Sequence, residues 1–272
     1  MKLRAAFLSL LCALTLPAAA LAEEEVPFVT SPDNVTLEML SQAGVNAADH
    51  VIDLGSGDGR IVILAAKRFG ATGLGVEIVP DLVEQSRRNA AQAGVQDRAT
   101  FAEQDLFTTD LSRATVVTMY LLPEVNLELR PKLLALKPGT RIVSHDWDMG
   151  DWPPERSLQL EVPDKQIGRE KSSKVHLWIV PARLHGAWCG GSRKKPVTLQ
   201  VDQKYSQMRG AVMRGGVSHK FDARIRGTQV QSVDGDLVWN LEGDRLKAVV
   251  ARNAFGALRS VTFSRRTGDS CP

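Results

Sequence analysis

The sequence predicts an α/β protein: a largely parallel sheet with helices on both faces, followed by a smaller C-terminal antiparallel β domain, barrel or sandwich. Three observations predict it. Between Asn34 and His145, apolar runs of strand length alternate with segments of helical period. From His185 onward the apolar pattern switches to period two, interrupted by glycine turns. The charge switches at the same place. Glu23 to Arg183 carries 24 acidic and 17 basic residues, a net of −7, whereas Leu184 to Pro272 carries 7 acidic and 15 basic, a net of +8.

The first residues read as a secretory leader: Lys2 and Arg4, an apolar run from Ala5 to Leu16, then Pro17 and a small-residue site at Ala20-Leu21-Ala22. That run is shorter than the roughly 20 residues a spanning helix needs, so cleavage near Glu23 and a periplasmic or secreted product are expected. The expected organisation is a leader over 1–22, an α/β domain over 23–183 and a β domain over 184–272. A short helix is expected over Asn34 to Ala43. Asp58 is placed to cap a helix from Gly59 to Phe69, which Gly70 ends. A strand follows at Leu74 to Ile78, and Pro80 opens a helix to Ala93. Strands at Ala99 to Asp105 and Thr115 to Leu121 come next, then a helix from Pro123 to Leu136 and a strand from Thr140 to His145. Their near-continuous apolar character suits strands covered on both faces.

Asp146 to Ser157 breaks the alternation, because its tryptophans, prolines and glycine leave no helical period. Leu158 to Val162 and Val175 to Val180 alternate as two strands that would close the sheet with a hairpin. The β domain should hold six to eight strands around Trp188, Trp239 and Phe263. Without the leader, two cysteines remain, Cys189 and Cys271. In a chain entering an oxidising compartment they are expected to pair. The basic balance of this domain has three readings: a solvated surface, a face turned to the acidic first domain, or a patch for an anionic envelope component.

The most informative run is Val51-Ile52-Asp53-Leu54-Gly55-Ser56-Gly57-Asp58-Gly59-Arg60, a buried strand ending in a glycine turn that opens a helix. A dinucleotide fingerprint needs a third small residue three beyond Gly57, and Arg60 stands there. What remains is a carboxylate at a strand end beside Gly-x-Gly, which suits a cationic ligand carrying an amino acid. The chain here resembles the class I S-adenosylmethionine (SAM)-dependent methyltransferases, with their Rossmann-like sheet. The resemblance extends to Glu77, closing the next strand at the offset that places a carboxylate on a ribose diol, and to Asp105, closing the strand after it where the family contacts adenine. It implies SAM as methyl donor, held by Asp53, Gly55, Ser56, Gly57, Asp58, Glu77 and Asp105. Over Phe28 to Pro181 the chain is more similar to a subgroup of protein methyltransferases that includes the lysine methyltransferase of the ATP synthase c-subunit. The shared run spans Asp53 to Val62. The chain departs from that subgroup at Tyr120-Leu121-Leu122-Pro123, where a Phe-Gly-x-Pro-like segment is usual.

Methyl transfer requires the acceptor in line behind the sulfur–methyl bond and needs no nucleophile from the enzyme. A lysine acceptor must first lose its proton, and Tyr120 and Asp146, at two strand ends, are placed to assist. The expected acceptor is a protein side chain or a small nucleophile. No zinc-ligand spacing, Walker loop or nucleophile elbow occurs, so no metal is expected and hydrolase or nucleotidase chemistry is excluded at this level. A specific nucleic-acid substrate is disfavoured, because Tyr120 to Pro123 does not resemble the Asn/Asp-Pro-Pro-Tyr of nucleic-acid amino-methyltransferases. The competing reading is an exported binding or scaffold protein with an inactive methyltransferase-like domain. Intact Asp53, Gly55, Gly57, Glu77 and Asp105 speak against it.

Overall fold

The computed structural model describes residues 29–165, 170–266 and 271. The leader read at 1–22 lies outside the described residues. The α/β domain contains α1 (Asp33–Gln42), β1 (His50–Leu54), α2 (Arg60–Phe69), β2 (Thr72–Glu77), α3 (Pro80–Gln92), β3 (Ala99–Glu103), β4 (Val116–Met119), α4 (Pro123–Leu133), β5 (Arg141–His145), β6 (Arg156–Glu161) and β7 (Ser172–Ile179). The seven strands order as β3-β2-β1-β4-β5-β7-β6. The first five run parallel, and β7 pairs antiparallel with both β5 and β6, which is the expected closing hairpin. The strand order reverses beside β1, so the crevice of an open α/β sheet falls at the carboxyl ends of β1 and β4.

Side chains alternate across the sheet and each face is covered. Val51, Val116 and Val143 pack with Val35, Met39 and Leu40 of α1 and with Ile61 and Ala65 of α2. Ile52, Leu54, Val117 and Ile142 pack on the other side with Leu129 and Leu133 of α4 and with Trp152 and Trp178. Residues pointing to either face of β1 and β4 are therefore buried, which is why these strands read as continuous apolar runs. Where a helix was missing after β5, the segment is held by a Met149–Trp152 bridge, and the buried Trp178 Nε1 donates to the Trp152 carbonyl at 2.9 Å.

Most element ends fall within three residues of the sequence expectation, and those of β4 and α4 have plain physical reasons. The expected strand to Leu121 leaves the ladder after Met119, so Tyr120 stands beyond the sheet edge, free to lean over the rim. The helix after it stops at Leu133: Leu134 still donates four residues back, to Arg130, but Ala135 and Leu136 donate three back, to Lys132 and Leu133, as single turns.

The second domain is a closed antiparallel barrel of eight strands: β8 (Gly186–Ser192), β9 (Lys195–Lys204), β10 (Gln207–Arg214), β11 (Val217–Arg226), β12 (Gln229–Ser232), β13 (Leu237–Glu242), β14 (Arg245–Ala251) and β15 (Thr262–Arg265). Closure removes the exposed edges that an open small sheet would present. Trp188, Trp239 and Phe263 are fully buried in its core, as their period-two placement predicts.

The barrel docks on the first domain through one end. Tyr205, at the β9–β10 turn, stacks on Trp152 and donates its hydroxyl to Asp151 Oδ1 at 2.9 Å. Asp151 also takes Lys204 and Arg130, at 2.9 and 2.6 Å. Arg226 reaches the Glu155 carboxylate at 2.7 Å, and that side chain is 3% exposed. At the β11–β12 turn, Gly227 lies so close to Gly139 that a Cβ would sit 3.1 Å from the Gly139 Cα, so the two backbones meet directly. A few of the barrel's basic residues thus face the acidic first domain. A disulfide joins Cys189 to Cys271, with a Cα–Cα distance of 5.4 Å, and closes a loop of 82 residues. In the chain-entropy model such a loop contributes about 4 kcal/mol. The Cys189→Ser/Cys271→Ser variant should lose that much unfolding free energy in denaturant titration, and intact protein should show no free thiol at either position.

Candidate active site

Asp53 is the penultimate residue of β1 and 2% exposed. Its Oδ1 accepts a hydrogen bond from Thr118 Oγ1 at 2.7 Å, supplied by the paired residue on β4. Burial, with the charges of Glu77 and Asp58 adding to it, outweighs the Thr118 bond and pushes its carboxyl up to about 7. A carboxylate so placed lacks a cation.

The turn after β1 is organised by Glu77. Its Oε2 accepts from the Gly57 N–H at 2.9 Å, and its Oε1 from the N–H groups of Ile78 and Val79 at 2.8 and 3.1 Å. Gly55 and Ser56 both donate to the Val76 carbonyl at 2.9 Å, tying the turn to β2. Gly57 has a φ of 53°, in the left-handed region that a side chain would oppose. The Ser56 hydroxyl is buried and has no partner among the described residues. The small residue missing from the dinucleotide pattern is replaced by Gly59. A Cβ there would sit 2.6 Å from the Phe101 ring and 2.8 Å from Ser86, so the turn, β3 and α3 touch directly.

Asp58 is not the cap residue of α2, contrary to the sequence expectation: Gly59 occupies that position. Asp58 still accepts the first helical N–H, that of Arg60, at 3.3 Å, and its carboxylate also takes the Arg60 guanidinium at 2.6 Å. Arg60 spans from there to the Ser31 carbonyl at 2.9 Å, fastening the segment before α1 over the rim. Asp105 stands beyond β3, exposed, with Oδ1 accepting from the Phe107 N–H at 2.7 Å. The structure therefore gathers Asp53, Gly55, Ser56, Gly57, Asp58 and Glu77 around one turn. Asp105 sits just past the strand two places out from β1, with its carboxylate closed into its own turn.

Next to this turn lies a cavity of about 200 Å³ lined by Tyr120, His145, Arg60, Lys165, Pro32 and Thr30, among others. Tyr120 and His145 stack with ring centroids 3.9 Å apart. His145 is 1% exposed, and its Nδ1 and Nε2 lie 2.8 and 2.9 Å from the hydroxyls of Ser31 and Ser173. Burial draws its imidazole down to about 4, against the nearby Asp146 charge, so it is neutral at physiological pH. Burial, then the Asp146 charge, raises the Tyr120 phenol, which stays protonated.

Asp146 has a φ of 61° and its carboxylate is fully engaged. It takes Lys165 Nζ at 2.7 Å and the Lys174 N–H at 2.9 Å. Burial works to raise its carboxyl, but these bonds and the His145 and Lys165 charges hold it below its ordinary value. Tyr120 therefore faces the cavity, whereas Asp146 acts on it by fixing Lys165 in its wall. His145, Arg60, Lys165 and Ser31 escaped the sequence reading. Only the strand-end position of His145 gave a signal, because the rest are brought in by long-range folding. A larger hollow of about 460 Å³ lies on the barrel, on a different domain from these carboxylates.

A model of the ANTKMT methyltransferase domain matches residues 53–156, ending before the barrel. A protein-lysine N-methyltransferase of Saccharolobus islandicus (strain REY15A) is 45% identical over 138 residues, which cover 50% of this chain and 86% of that protein. The human lysine N-methyltransferase of the ATP synthase c-subunit is 38% identical over 106 residues, covering 39% of this chain and 45% of that protein. Against several such relatives the chain spans about half their length. An RNA methyltransferase from Salinibacter ruber, solved with S-adenosyl-L-homocysteine, superposes with a TM-score of 0.53 at 50% identity. The match covers 57% of this chain and 96% of that one.

The buried Asp53, the unpartnered Ser56 hydroxyl and the left-handed glycine turn fit an amino-acid-bearing sulfonium. If Asp53 faces that cation, its carboxyl must be ionised in the complex. Below a pH of about 7, SAM affinity should then fall by up to about ten-fold per unit, and Asp53→Asn should flatten the profile measured by calorimetry. The folding linkage has the opposite sense. With its pKa raised on folding, Asp53 favours the ligand-free fold at acid pH, and that contribution is lost as pH rises from 3.8 through about 7. Glu77→Ala should weaken SAM binding by at least about ten-fold, the equivalent of one charge-assisted hydrogen bond, and unchanged affinity would sink this assignment.

Proposed function

The chain belongs to the family of SAM-dependent methyltransferases that includes the archaeal protein-lysine N-methyltransferase, and from that premise we propose that it methylates a lysine side chain of a protein outside the cytosol. The observation that carries the acceptor assignment is the cavity walled by the neutral Tyr120–His145 pair beside the Asp53 turn. Met119 and Leu54 are paired at the ends of β4 and β1, so Tyr120 and Gly55 are the next residues on adjacent strands. The acceptor cavity and the donor turn are thus contiguous.

SAM, when bound, supplies an electrophilic methyl on a sulfonium. The chain's own residues hold the donor and prepare the acceptor. Asp53 offers its charge to the donor's amino-acid end, Glu77 holds the turn and offers its remaining lone pair to a ribose hydroxyl, and the Gly55 to Gly57 backbone leaves room for close approach. An acceptor ammonium entering the cavity is desolvated against two neutral rings, which favours its unprotonated form. Asp58 and Asp146, the carboxylates behind the walls, are compensated by Arg60 and Lys165, whereas Asp164, exposed in the cavity lining, offers its charge to the ammonium as it enters. The Tyr120 hydroxyl can accept the remaining N–H and turn the lone pair toward the methyl.

The archaeal and Salinibacter ruber relatives, each matched over at least half of this chain, are named for two acceptor classes, lysine and RNA. Charge favours lysine here. The domain carrying the site has 24 acidic and 17 basic residues, and a phosphate backbone is repelled by such a balance. The leader read in residues 1–22 supports a periplasmic or secreted site of action, and N-terminal sequencing of fractionated protein, beginning near Glu23, would test it.

Purified protein incubated with methyl-labelled SAM and envelope extract should place label in N-methyl-lysine of a protein. Label recovered in nuclease-sensitive material would overturn the lysine assignment. Tyr120→Phe should lower kcat by about ten-fold, the loss of one oriented hydrogen bond, while SAM affinity stays within error.

A further inference from the structure

The barrel is electrostatically polarised along its axis. In an up-and-down barrel, alternate connections share an end. The connections β9–β10 and β11–β12 meet the α/β domain, where Lys204, Arg224 and Arg226 are paired with Asp151 and Glu155. The connections β8–β9, β10–β11, β12–β13 and β14–β15 form the opposite, free end. Arg193, Lys194, Lys195, Arg214, Arg252 and Arg259 lie there, and all are exposed. None makes a salt bridge among the described residues, and the acids of these connections are Asp234 and Asp236. Elsewhere on the barrel Arg209 pairs with Asp222, Arg245 with Asp244 and Lys247 with Glu242; Lys220, Arg265 and Arg266 have no ion pair among the described residues, though Arg265 lies over the Trp188 ring and donates to the Arg183 and His185 carbonyls.

The same end carries apolar side chains turned to solvent. Met213, Val217 and Val233 are 46, 55 and 80% exposed, two of them flanking the β10–β11 turn at Gly215-Gly216 and one in the β12–β13 connection. Between the β8–β9 turn, the β10–β11 turn and the connection before β15 lies the hollow of about 460 Å³. It is lined by Lys195, Arg214 and the hydroxyl-bearing Ser192, Ser260 and Thr262.

We propose that the free end of the barrel docks on the surface of an anionic phospholipid bilayer, its hollow receiving phosphate-bearing headgroups while Met213, Val217 and Val233 enter the interface. Two features select a bilayer over a soluble polyanion. Unpaired cations alone would serve either, but protruding apolar residues within a cationic ring gain free energy only where hydrocarbon lies behind the charge. The opposite end holds the methyltransferase domain, so docking would present the Tyr120 cavity to proteins at or near that membrane. This placement stands independently of which acceptor is methylated.

The test is co-sedimentation of the full chain with vesicles of phosphatidylcholine alone, or with about 30% phosphatidylglycerol. The readout is the binding gained from the anionic lipid, so any contribution of the N-terminal apolar run cancels between variants. The anionic increment should fall by about ten-fold or more in Lys194→Glu/Lys195→Glu/Arg214→Glu and in high salt. It should fall separately in Met213→Ser/Val217→Ser/Val233→Ser. Both variants should keep the parent's melting temperature and SAM affinity, which separates lost docking from lost folding. Equal binding to both vesicles, or an increment that survives charge reversal in folded protein, would overturn the proposal. So would loss on charge reversal with no change in the apolar variant, since that pattern marks a soluble polyanion site.

Discussion

One carboxylate at the rim of a parallel sheet organises the site: Glu77, whose two oxygens collect three backbone N–H groups from the turn after β1 and from the end of its own strand. Glycines in left-handed conformations at Gly55, Gly57 and Gly59 can bend the chain, but they cannot say where the bend will rest. Glu77 does, because charge-assisted bonds to an acceptor on a rigid strand fix the turn against β2. Once the turn is fixed, Asp53 is sealed behind it beside Thr118 and Gly59 is pressed against Phe101. The cost is a buried carboxyl with no cation beside it, a cost that a positively charged ligand at this turn would relieve.

The second half of the site depends on the segment that replaced a helix after β5. A regular helix there would have followed the crossover rule of the earlier units. Instead β7 returns antiparallel, and its neighbours Ser173 and Lys174 reach back to His145 and Asp146. His145 is thereby kept neutral and flat against Tyr120, and Asp146 is committed to Lys165. Further along, the same segment offers Asp151 and Glu155 to the barrel. One part of the cavity wall, at His145 with Asp146 behind it, and the domain contact at Asp151 and Glu155 therefore lie on one stretch of chain, while Tyr120, Arg60 and Lys165 reach the cavity from elsewhere. The barrel is seated on the α/β domain by ion pairs whose carboxylates belong to that stretch, while six cations without ion pairs among the described residues stand at the other end.

The α/β alternation, the closing hairpin and the small β domain could all be read from the pattern of apolar residues, because burial on two faces and burial on one leave different periods in a sequence. Asp53, the glycine turn and Glu77 were legible too, since a turn of that shape demands particular residue types at short spacing. The pairing of Cys189 with Cys271 followed from counting in a chain expected to be oxidised. Sequence alone could not show that Asp58 takes the Arg60 guanidinium, that Asp146 is neutralised by Lys165, or that Ser31 and Ser173 bracket His145. The first contact is local but rests on a rotamer; the others join residues 19 to 114 positions apart, and their partners are chosen by where strands and loops come to rest. Likewise the chain's composition records fifteen cations in the last domain, but only barrel closure brings three of them to carboxylates of the first domain and gathers six others at the opposite end. Local geometry is written in neighbouring residues; the charge state of a buried group depends on everything packed around it, which exists only after folding.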